Sequence, residues 1–483
     1  MPQYETVIGL EVHAQLKTES KMFCGCANNF GDQPNTNICP VCTGQPGTLP
    51  VINKKAIELA IKTALATNCK INNRSVFARK NYFYPDLPKD YQISQFDLPL
   101  AEHGFLEIKV DENKKRVGIT RIHLEEDAGK LVHKGSARIM DSDYSLADYN
   151  RAATPLMEIV SEPDLRTPEE AKAYMEKLAH LLEYIGVCDA KMEEGSLRCD
   201  ANISIRPVGQ KEFGTKTEIK NMNSFKAVMK ALKAEELRHR EVVDEGGIII
   251  QETRFYSEET EKTKGMRTKE YSHDYRYFPE PDLVPIAPTK EWIEEIRKTV
   301  GELPEDKKVR FAKNYGISDA DAFFIISNPK MADFLEETAR QYANPKTVAN
   351  WLVGEITAFL KEEKIGFGNI KLTPEILVEM LQLIDKGTIS RKVAKEIILP
   401  EILIGGKSIQ EIIKEKGLTQ ISNEEELVAI VQEVIRTNPK QVEQFKSGKE
   451  AVLQFFVGQI MKATKGRANP DAAQKTLKKE LKK

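Results

Sequence analysis

The sequence contains no apolar run long enough to cross a membrane, since none approaches roughly eighteen residues, the lower end for a spanning helix. The N-terminus also lacks the charged and apolar regions of a secretory signal. The seven cysteines are an odd number in a chain without a secretory context, which argues against a disulfide framework. We therefore expect a cytoplasmic protein with reduced thiols and no membrane partner.

Common nucleotide-binding and hydrolase motifs are missing as well. The chain has no G-x-x-x-x-G-K-S/T and no G-x-G-x-x-G, which argues against a P-loop or a Rossmann turn. It has neither G-x-S-x-G nor a serine-rich amidase stretch, so no amide-hydrolysing serine is visible. The formal net charge of −2 produces no global field that attracts nucleic acid.

A basic surface is therefore expected only locally, in the tail. Residues 441–483 hold ten Lys or Arg against four Asp or Glu. Such a tail can contact phosphates, although a solvated helix end explains the same charge more simply. The phosphate-contact hypothesis rests on Lys462, Lys465 and Arg467.

The 483 residues, 41% hydrophobic and 30% charged, are typical of a globular chain with several domains. Strand and helix signals mix up to about residue 290, capped amphipathic helices follow, and Gly405-Gly406 interrupts them. We predict an α+β fold. It has a mixed domain around a β-sheet at 1–290, an all-helical domain at 291–405 and a small helical tail domain at 406–483.

Several helices are predicted together with their ends. One covers residues 54–67 with a single apolar stripe. Another opens at Thr167-Pro-Glu-Glu170, with a cap, a proline in the first turn and a capping-box glutamate, and ends at Gly186. Further helices are expected to begin near Ser224, Thr289, Asn344, Thr373 and Ser422.

Residues 6–15 alternate between apolar and polar side chains, which predicts a strand with one buried face. Glu11 and His13 share its polar face, about 6–7 Å apart. A carboxylate and an imidazole so placed can ligate a metal or exchange a proton. An ordinary exposed strand face is the plainer alternative.

A second strand-like run, beginning at Ile119, ends in three consecutive acids, Glu125, Glu126 and Asp127. Crowded carboxylates repel one another unless a cation lies among them, so such clusters often bind Mg²⁺ or Mn²⁺. A solvated acidic turn explains the stretch equally well. Other strand-like stretches add the polar residues Glu158, Asp200 and Asn202.

Four cysteines form two close pairs, Cys24-Gly-Cys26 and Cys39-Pro-Val-Cys42, separated by twelve residues. This spacing favours a tetrahedral Cys₄ zinc site, with each pair filling two corners. All four ligands would come from the protein, so we expect structural Zn²⁺ that stabilises the loop 24–42. The remaining cysteines, Cys69, Cys188 and Cys199, are expected to be buried as small hydrophobic residues.

Taken together, several long segments resemble the B-subunit family of tRNA-dependent amidotransferases. The resemblance covers essentially the whole chain and rests on motifs in the family's order. They are Val7–His13, Lys80–Asp86, His123–Gly129, Met192–Asn202, Asp274–Asp282 and Gly458–Gly466.

The resemblance implies a ligase of translation that converts Glu-tRNA(Gln) to Gln-tRNA(Gln) and, in many organisms, Asp-tRNA(Asn) to Asn-tRNA(Asn). In this family an A subunit hydrolyses glutamine, ammonia reaches the B subunit through a tunnel, and a small C subunit completes the heterotrimer. The N-terminal domain is implied to be a cradle around a Mg²⁺-dependent site. There ATP phosphorylates the carboxylate of the misacylated tRNA, and ammonia displaces phosphate. The helical parts are implied to hold tRNA, and the Lys80–Asp86 loop to lie near the tunnel or the A subunit.

Residue by residue, the resemblance implies metal-binding and catalytic roles for Glu11, His13, Glu126 and Glu158. Weaker candidates for metal or cofactor binding are Glu125, Asp200 and Asn202, and the ATP contacts are not placed. Simple alternation conflicts with this set because it puts Glu126 on the apolar face, unless the strand ends before Glu125 or a bulge intervenes. The resemblance favours Glu126. The alternatives are a non-catalytic, zinc-stapled tRNA-binding scaffold subunit and a stand-alone metallohydrolase.

Overall fold

The chain divides into two units, Met1–Leu303 and Pro304–Lys483. The structure is a computed structural model and describes residues 3–135, 142–266, 274–418, 424–446, 449, 452–464, 468 and 470–481. A mixed sheet with helices in the first unit and helices in the second confirm the α+β fold class. The three-domain division at residues 290 and 405 stays a prediction.

Among the described residues, the strands all belong to the first unit. They are β1 Tyr4–Gln15, β2 Lys70–Ile71, β3 Phe77–Asn81, β4 Tyr91–Gln95, β5 Ala101–Val110, β6 Asn113–Glu126, β7 Lys130–Lys134, β8 Tyr144–Asp148, β9 Pro155–Ser161, β10 Leu197–Pro207, β11 Thr217–Lys220, β12 Thr253–Ser257, β13 Lys262–Gly265 and β14 Phe278–Pro279. Within the described residues, nine of them form one sheet in the order β13-β12-β11-β10-β1-β9-β6-β5-β2. Strands β14, β3 and β4 form a small second sheet, and β7 pairs with β8.

In the described part of the first unit, four helices accompany these strands. They are α1 Lys54–Ala66, α2 Pro168–Tyr184, α3 Phe225–Asp244 and α4 Lys290–Val300. Each begins after a side-chain cap, at the predicted Thr167, Ser224 and Thr289 and, for α1, at Asn53. A cap satisfies amide groups that have no partner inside the helix, so the predicted starts are confirmed. Helix α4 packs on the core of the first unit through Ile296.

The large sheet has one apolar and one polar face at its centre. Ile8, Leu10 and Val12 of β1 are buried in one continuous core with α1 and α2. Glu11 and His13 alternate with them and are only partly buried. The predicted strand and its two-faced pattern are therefore confirmed. The polar face carries the candidate site.

The second unit is helical in its described part. Its helices are α5 Pro304–Tyr315, α6 Asp319–Ile326, α7 Pro329–Gln341, α8 Pro345–Trp351, α9 Thr357–Glu363, α10 Pro374–Asp385, α11 Arg391–Val393, α12 Leu399–Ile404, α13 Ile409–Lys416, α14 Glu424–Thr437, α15 Pro439–Lys446, α16 Val452–Ala463 and α17 Pro470–Leu481. Single π-turns at Leu352–Ile356 and Ala394–Ile398 connect α8 to α9 and α11 to α12.

The described residues of the second unit form two hydrophobic cores. One extends from Phe311 to Leu418 and the other from Leu427 to Leu481. Caps at Asn344 and Thr373 confirm two predicted helix starts. Ser422, Lys465 and Arg467 lie outside the described residues. None of the helices in the described ranges is both long and apolar enough to span a membrane.

Candidate active site

A row of four polar side chains crosses the middle of the large sheet. Strand pairing places Arg198 of β10 opposite His13 of β1, His13 opposite Glu158 of β9, and Glu158 opposite His123 of β6. These pairs are antiparallel, and directly opposed residues in antiparallel strands point to the same face. The register therefore gathers four side chains that are distant in sequence.

His13 and Glu158 of this row, together with Glu125 two residues beyond His123 on β6, form a compact set of possible metal ligands. One ligand atom from each lies within 4.8 Å of the others. His13 Nε2 is 3.4 Å from Glu158 Oε2 and 3.9 Å from Glu125 Oε1. On the opposite side, His123 Nε2 is 3.3 Å from Glu158 Oε2 and 3.9 Å from Glu125 Oε2. Two carboxylates thus lie between two imidazoles.

The charges of this set stabilise one another. Burial opposes ionisation of Glu158, but the charges and hydrogen bonds of His123 and His13 outweigh it and lower the Glu158 pKa. Burial likewise disfavours a protonated His123, yet Glu158 and Glu125 raise the pKa of His123 to about 9. Without a metal, a protonated His123 therefore balances part of the carboxylate charge. A divalent cation would supply the same positive charge.

The structure does not bring Glu126 to this set. Pairing with β9 is regular from Arg121 to Glu126, and the irregularity of β6 lies earlier, between Ile119 and Arg121. Glu126 therefore points to the opposite face from Glu125. Its carboxylate accepts from Lys89 Nζ at 2.5 Å and from the Ile93 amide at 2.8 Å. The expected strand end or bulge next to Glu125 is absent from this described stretch, so alternation holds.

A second row lies on the same face, two residues along β1 from His13. It contains Glu11 and Asp200, which are paired across β1 and β10. Burial raises the pKa of Glu11, and the charges of Glu158, Glu218 and Asp200 raise it further. Asn202 donates from Nδ2 to Glu11 Oε1 at 3.2 Å. Asp200 forms an ion pair with Lys220 of β11. The predicted residues of β1 and β10 therefore do meet.

Sequence reasoning missed three polar residues of this face: His123, Arg121 and Arg198. His123 precedes Glu125 by two residues, so the period-2 rule alone puts both on one face. Arg121 Nε lies 3.4 Å from His123 Nδ1. Arg198 Nη2 lies 3.0 Å from Asp127 Oδ1, and burial of that aspartate is outweighed by Arg198 and Arg151, which lower its pKa.

Tyr82, in the Lys80–Asp86 loop, lies near the carboxylates. Burial and the charge of Glu125 both raise the pKa of Tyr82. The rings of Phe96 and Tyr277 stack with centroids 4.1 Å apart, and burial and the charge of Glu125 raise the pKa of Tyr277. Aromatic side chains thus border one side of the set. The placement of the Lys80–Asp86 loop near a tunnel or a partner stays a prediction.

Four cysteines form a second cluster: the Sγ atoms all lie within 4.8 Å of one another in Cys24, Cys26, Cys39 and Cys42. The Cys39 amide donates to Cys42 Sγ at 3.2 Å, and the buried Lys21 Nζ lies 3.6 Å from the same sulfur. A hydrogen bond with Cys24 lowers the pKa of Cys42 to about 4. Four converging sulfurs beside a cation fit a structural metal–thiolate site.

The remaining cysteines Cys69, Cys188 and Cys199 are buried, as predicted. They lie in the hydrophobic core of the first unit. Burial raises the pKa of the Cys199 thiol well above its usual value, and it raises that of Cys69 to about 11. These thiols therefore stay protonated and act as small apolar side chains.

Comparison with known families covers most of the chain. Residues 6–294 match the family described as the GatB/GatE catalytic domain, and residues 333–481 match the GatB domain. Similar curated proteins cover the full length. A protein of Carboxydothermus hydrogenoformans, named as the B subunit of an aspartyl/glutamyl-tRNA(Asn/Gln) amidotransferase, is 56% identical over 481 residues, which are 100% of this chain and 99% of that relative.

Relatives from other bacteria carry the same name. The protein of Thermoanaerobacter sp. strain X514 is 56% identical over 481 residues, covering 100% of both chains. That of Brevibacillus brevis is 53% identical over 484 residues, covering 100% of this chain and 99% of the relative.

Proposed function

This chain belongs to the family of the aspartyl/glutamyl-tRNA(Asn/Gln) amidotransferase B subunits, and on that premise we propose that its first unit phosphorylates the side-chain carboxylate of a misacylated tRNA. As a member of that family, the chain acts in a multi-subunit, ligase-type amidotransferase. The observation that carries the proposal is the convergence of His13, Glu125 and Glu158 on one face of the large sheet.

The donor set fits Mg²⁺. Mg²⁺ in phosphoryl-transfer sites is held by one or two carboxylates together with substrate phosphates, and Glu125 and Glu158 supply two buried carboxylates. His13 completes the set with a ring nitrogen, and Glu11 lies next to it on β1. When bound, the ion neutralises charge on the transferred phosphoryl group. Glu126 belongs to the opposite face and is left out of the proposed ligands.

The proposed reaction has two steps. An oxygen of the Glu or Asp side chain on the tRNA attacks the γ-phosphorus of ATP, and ADP leaves. Ammonia then attacks the acyl carbon of the mixed anhydride, inorganic phosphate leaves, and a proton is released from nitrogen. His123 and Arg121 hold Glu158 in place, since His123 Nε2 and Arg121 Nη2 lie 3.3 and 3.9 Å from its oxygens. A fixed carboxylate keeps the reacting groups in line.

The partners follow from the same proposal. The chain shows no serine amidase motif, so ammonia is supplied by a glutaminase, the A subunit, with a small C subunit completing the heterotrimer. The second unit is proposed to bind tRNA. Lys462 is exposed on α16, and its positive charge suits a phosphate contact.

The cysteine cluster is proposed to hold structural Zn²⁺. All four corners are protein thiolates, so no position is open for chemistry. The ion would stabilise the loop 24–42, which has little core of its own.

The test is ADP release by the chain assembled with its A and C partners, with and without Glu-tRNA(Gln). Wild type is compared with Glu158→Gln, which keeps the side-chain shape and removes the charge. Charged tRNA should stimulate ADP release in wild type, and the variant should lose it while still binding tRNA. A variant with normal turnover would instead favour the alternative, a non-catalytic scaffold.

A further inference from the structure

The loop that contains the four cysteines is hydrogen-bonded to the end of strand β8 through Asn35. The Asn35 backbone amide donates to Asp148 Oδ1 at 3.0 Å, and Asn35 Nδ2 donates to the Ala147 carbonyl at 3.0 Å. The Tyr149 backbone amide in turn donates to Asn35 Oδ1 at 2.8 Å. Asn35 has a φ of 60°, a left-handed conformation that asparagine tolerates better than most residues. One residue thus uses its backbone and its side chain to bind the strand end.

The same loop also binds the connection between β8 and β9. The Asn37 backbone amide donates to Asn150 Oδ1 at 2.8 Å, and Asn150 Nδ2 donates to the Gln33 carbonyl at 2.7 Å. At the other end of the connection, Thr154 Oγ1 donates to Asn28 Oδ1 at 3.0 Å. The connection is therefore bound by the loop at both of its ends.

This connection carries Arg151, which extends to the acidic end of β6. Arg151 Nε lies 3.7 Å from Asp127 Oδ2 and donates to the Ala128 carbonyl at 3.0 Å. The backbone forms a parallel contact, because the Ala153 amide donates to the Asp127 carbonyl at 3.0 Å. The position of the connection is therefore transmitted to Asp127.

Asp127 joins the connection to the polar face of the large sheet. Its Oδ1 lies 3.0 Å from Arg198 Nη2, and its Oδ2 accepts from Gln15 Nε2 at 2.9 Å. Arg198 is paired with His13 across β10 and β1. A cation next to a metal ligand must be held in place if a transferred phosphoryl group is to stay in line. Direct contacts thus lead from the loop through Arg151 to the proposed metal ligands.

We propose that the loop 24–42 is a positioning element of the active site, in which Asn35 acts through Arg151. Arg151 in turn holds Asp127 against Arg198. The inference rests on the proposed function. Metal binding at the four cysteines orders the loop that presents Asn35, so the cluster has a consequence beyond the stability of the loop itself.

The test is Asn35→Gly in the complex with the A and C partners, because glycine adopts the left-handed backbone freely and removes only the side chain. The kcat for tRNA-stimulated ADP release should fall by about tenfold or more, with the KM for ATP unchanged, because the position and not the affinity of the reacting groups changes. Zinc content should stay at the wild-type value. Asn68→Gly is the matched control and should match wild type throughout, because Asn68 is exposed and has a φ of 58° after the end of α1.

Hydrogen exchange supplies a readout that does not depend on activity. The Ala153 amide, which donates to the Asp127 carbonyl, should exchange on the order of tenfold faster in Asn35→Gly, because the connection is released. Asn150→Ala provides a second variant, since it removes a contact with the loop without changing the loop's own sequence. It should have the same effects on kcat and on exchange. If Asn35→Gly loses zinc, Asn150→Ala decides.

A wild-type kcat in both variants overturns the inference, and so does unchanged exchange at Ala153. A rise in the KM for ATP at wild-type kcat has the same meaning. If wild type shows no tRNA-stimulated ADP release, the proposed function fails. Exchange at Ala153 then tests the link from the loop to Asp127 by itself: faster exchange in Asn35→Gly but not in Asn68→Gly supports the link, and equal exchange in the two variants rejects it.

Discussion

The carboxylates of Glu125 and Glu126 lie on opposite faces of strand β6. Glu125 Oε2 accepts from Ser94 Oγ at 3.2 Å and lies with His13 and Glu158 on the polar face. Glu126 is bound by Lys89 and the Ile93 amide. Two neighbouring acids of the same type therefore have different environments, and their substitution should have different consequences.

Glu125→Gln should lower the affinity for Mn²⁺ by about tenfold or more and abolish tRNA-stimulated ADP release, because it removes a ligand charge. Glu126→Gln should keep Mn²⁺ affinity but reduce the free energy of unfolding by about 3 kcal/mol, since it leaves the Lys89 ammonium buried without its counter-charge. Electron paramagnetic resonance of bound Mn²⁺ and urea unfolding measure the two effects. Loss of Mn²⁺ binding in Glu126→Gln alone would contradict this assignment.

The irregularity between Ile119 and Arg121 breaks the alternation at the start of the second run, but the alternation of residues 6–15 and 122–126 was sufficient to predict the faces of both strands. It placed Glu11 with His13 and put Glu126 on the apolar side, as the structure does. The resemblance favoured Glu126 over this local rule. The local rule was correct because β6 stays regularly paired with β9 up to Glu126.

The partners across the sheet could not be predicted from a single sequence. His13 meets Arg198 and Glu158 only because β1 lies between β10 and β9. That order depends on long-range pairing, which side-chain periodicity does not encode. The cysteine cluster, by contrast, was predictable because short spacing within each pair restricts where the sulfurs can lie.

Removal of zinc should loosen the loop 24–42. Cys39→Ser should reduce the zinc content from one ion per chain and lower the melting temperature of the first unit, since metal binding contributes directly to folding. Zinc is measured by mass spectrometry after denaturation, and melting by calorimetry. Cys188→Ala is the control: this thiol is buried outside the cluster, so zinc content should not change. Full zinc occupancy in Cys39→Ser would exclude a four-cysteine site.

A buried network around Glu235 of α3 should make the free energy of unfolding depend on pH. Burial raises the pKa of Glu235, but hydrogen bonds from His239, Arg238 and Thr263 outweigh it and lower the pKa to about 2. A depressed carboxyl pKa stabilises the fold above the unfolded value of 4.5, and this contribution is lost as pH falls through about 2. The free energy of unfolding should therefore fall between these pH values.

Glu235→Gln should lower the free energy of unfolding by about 3 kcal/mol at pH 7 and by much less near pH 2. Urea unfolding followed by Trp292 fluorescence, in a Trp351→Phe background, reports on the first unit because these are the two tryptophans of the chain. Arg297→Gln, an exposed position on α4, is the control and should leave the pH profile unchanged. An equal loss of unfolding free energy at both pH values would show that the Glu235 charge does not stabilise the network.

Charge reversal at Lys462 should weaken tRNA binding. Lys462 is exposed in the last turn of α16, and a protein–phosphate contact releases counterions, so its loss lowers affinity and flattens the dependence on salt. In Lys462→Glu, the slope of log affinity against log salt should decrease in magnitude by about 1. Lys361→Glu, also exposed but on α9, is the matched control with the same change in net charge. Equal losses in both variants would show that affinity follows the net charge of the chain, whereas a loss confined to Lys462→Glu places a phosphate at the end of α16.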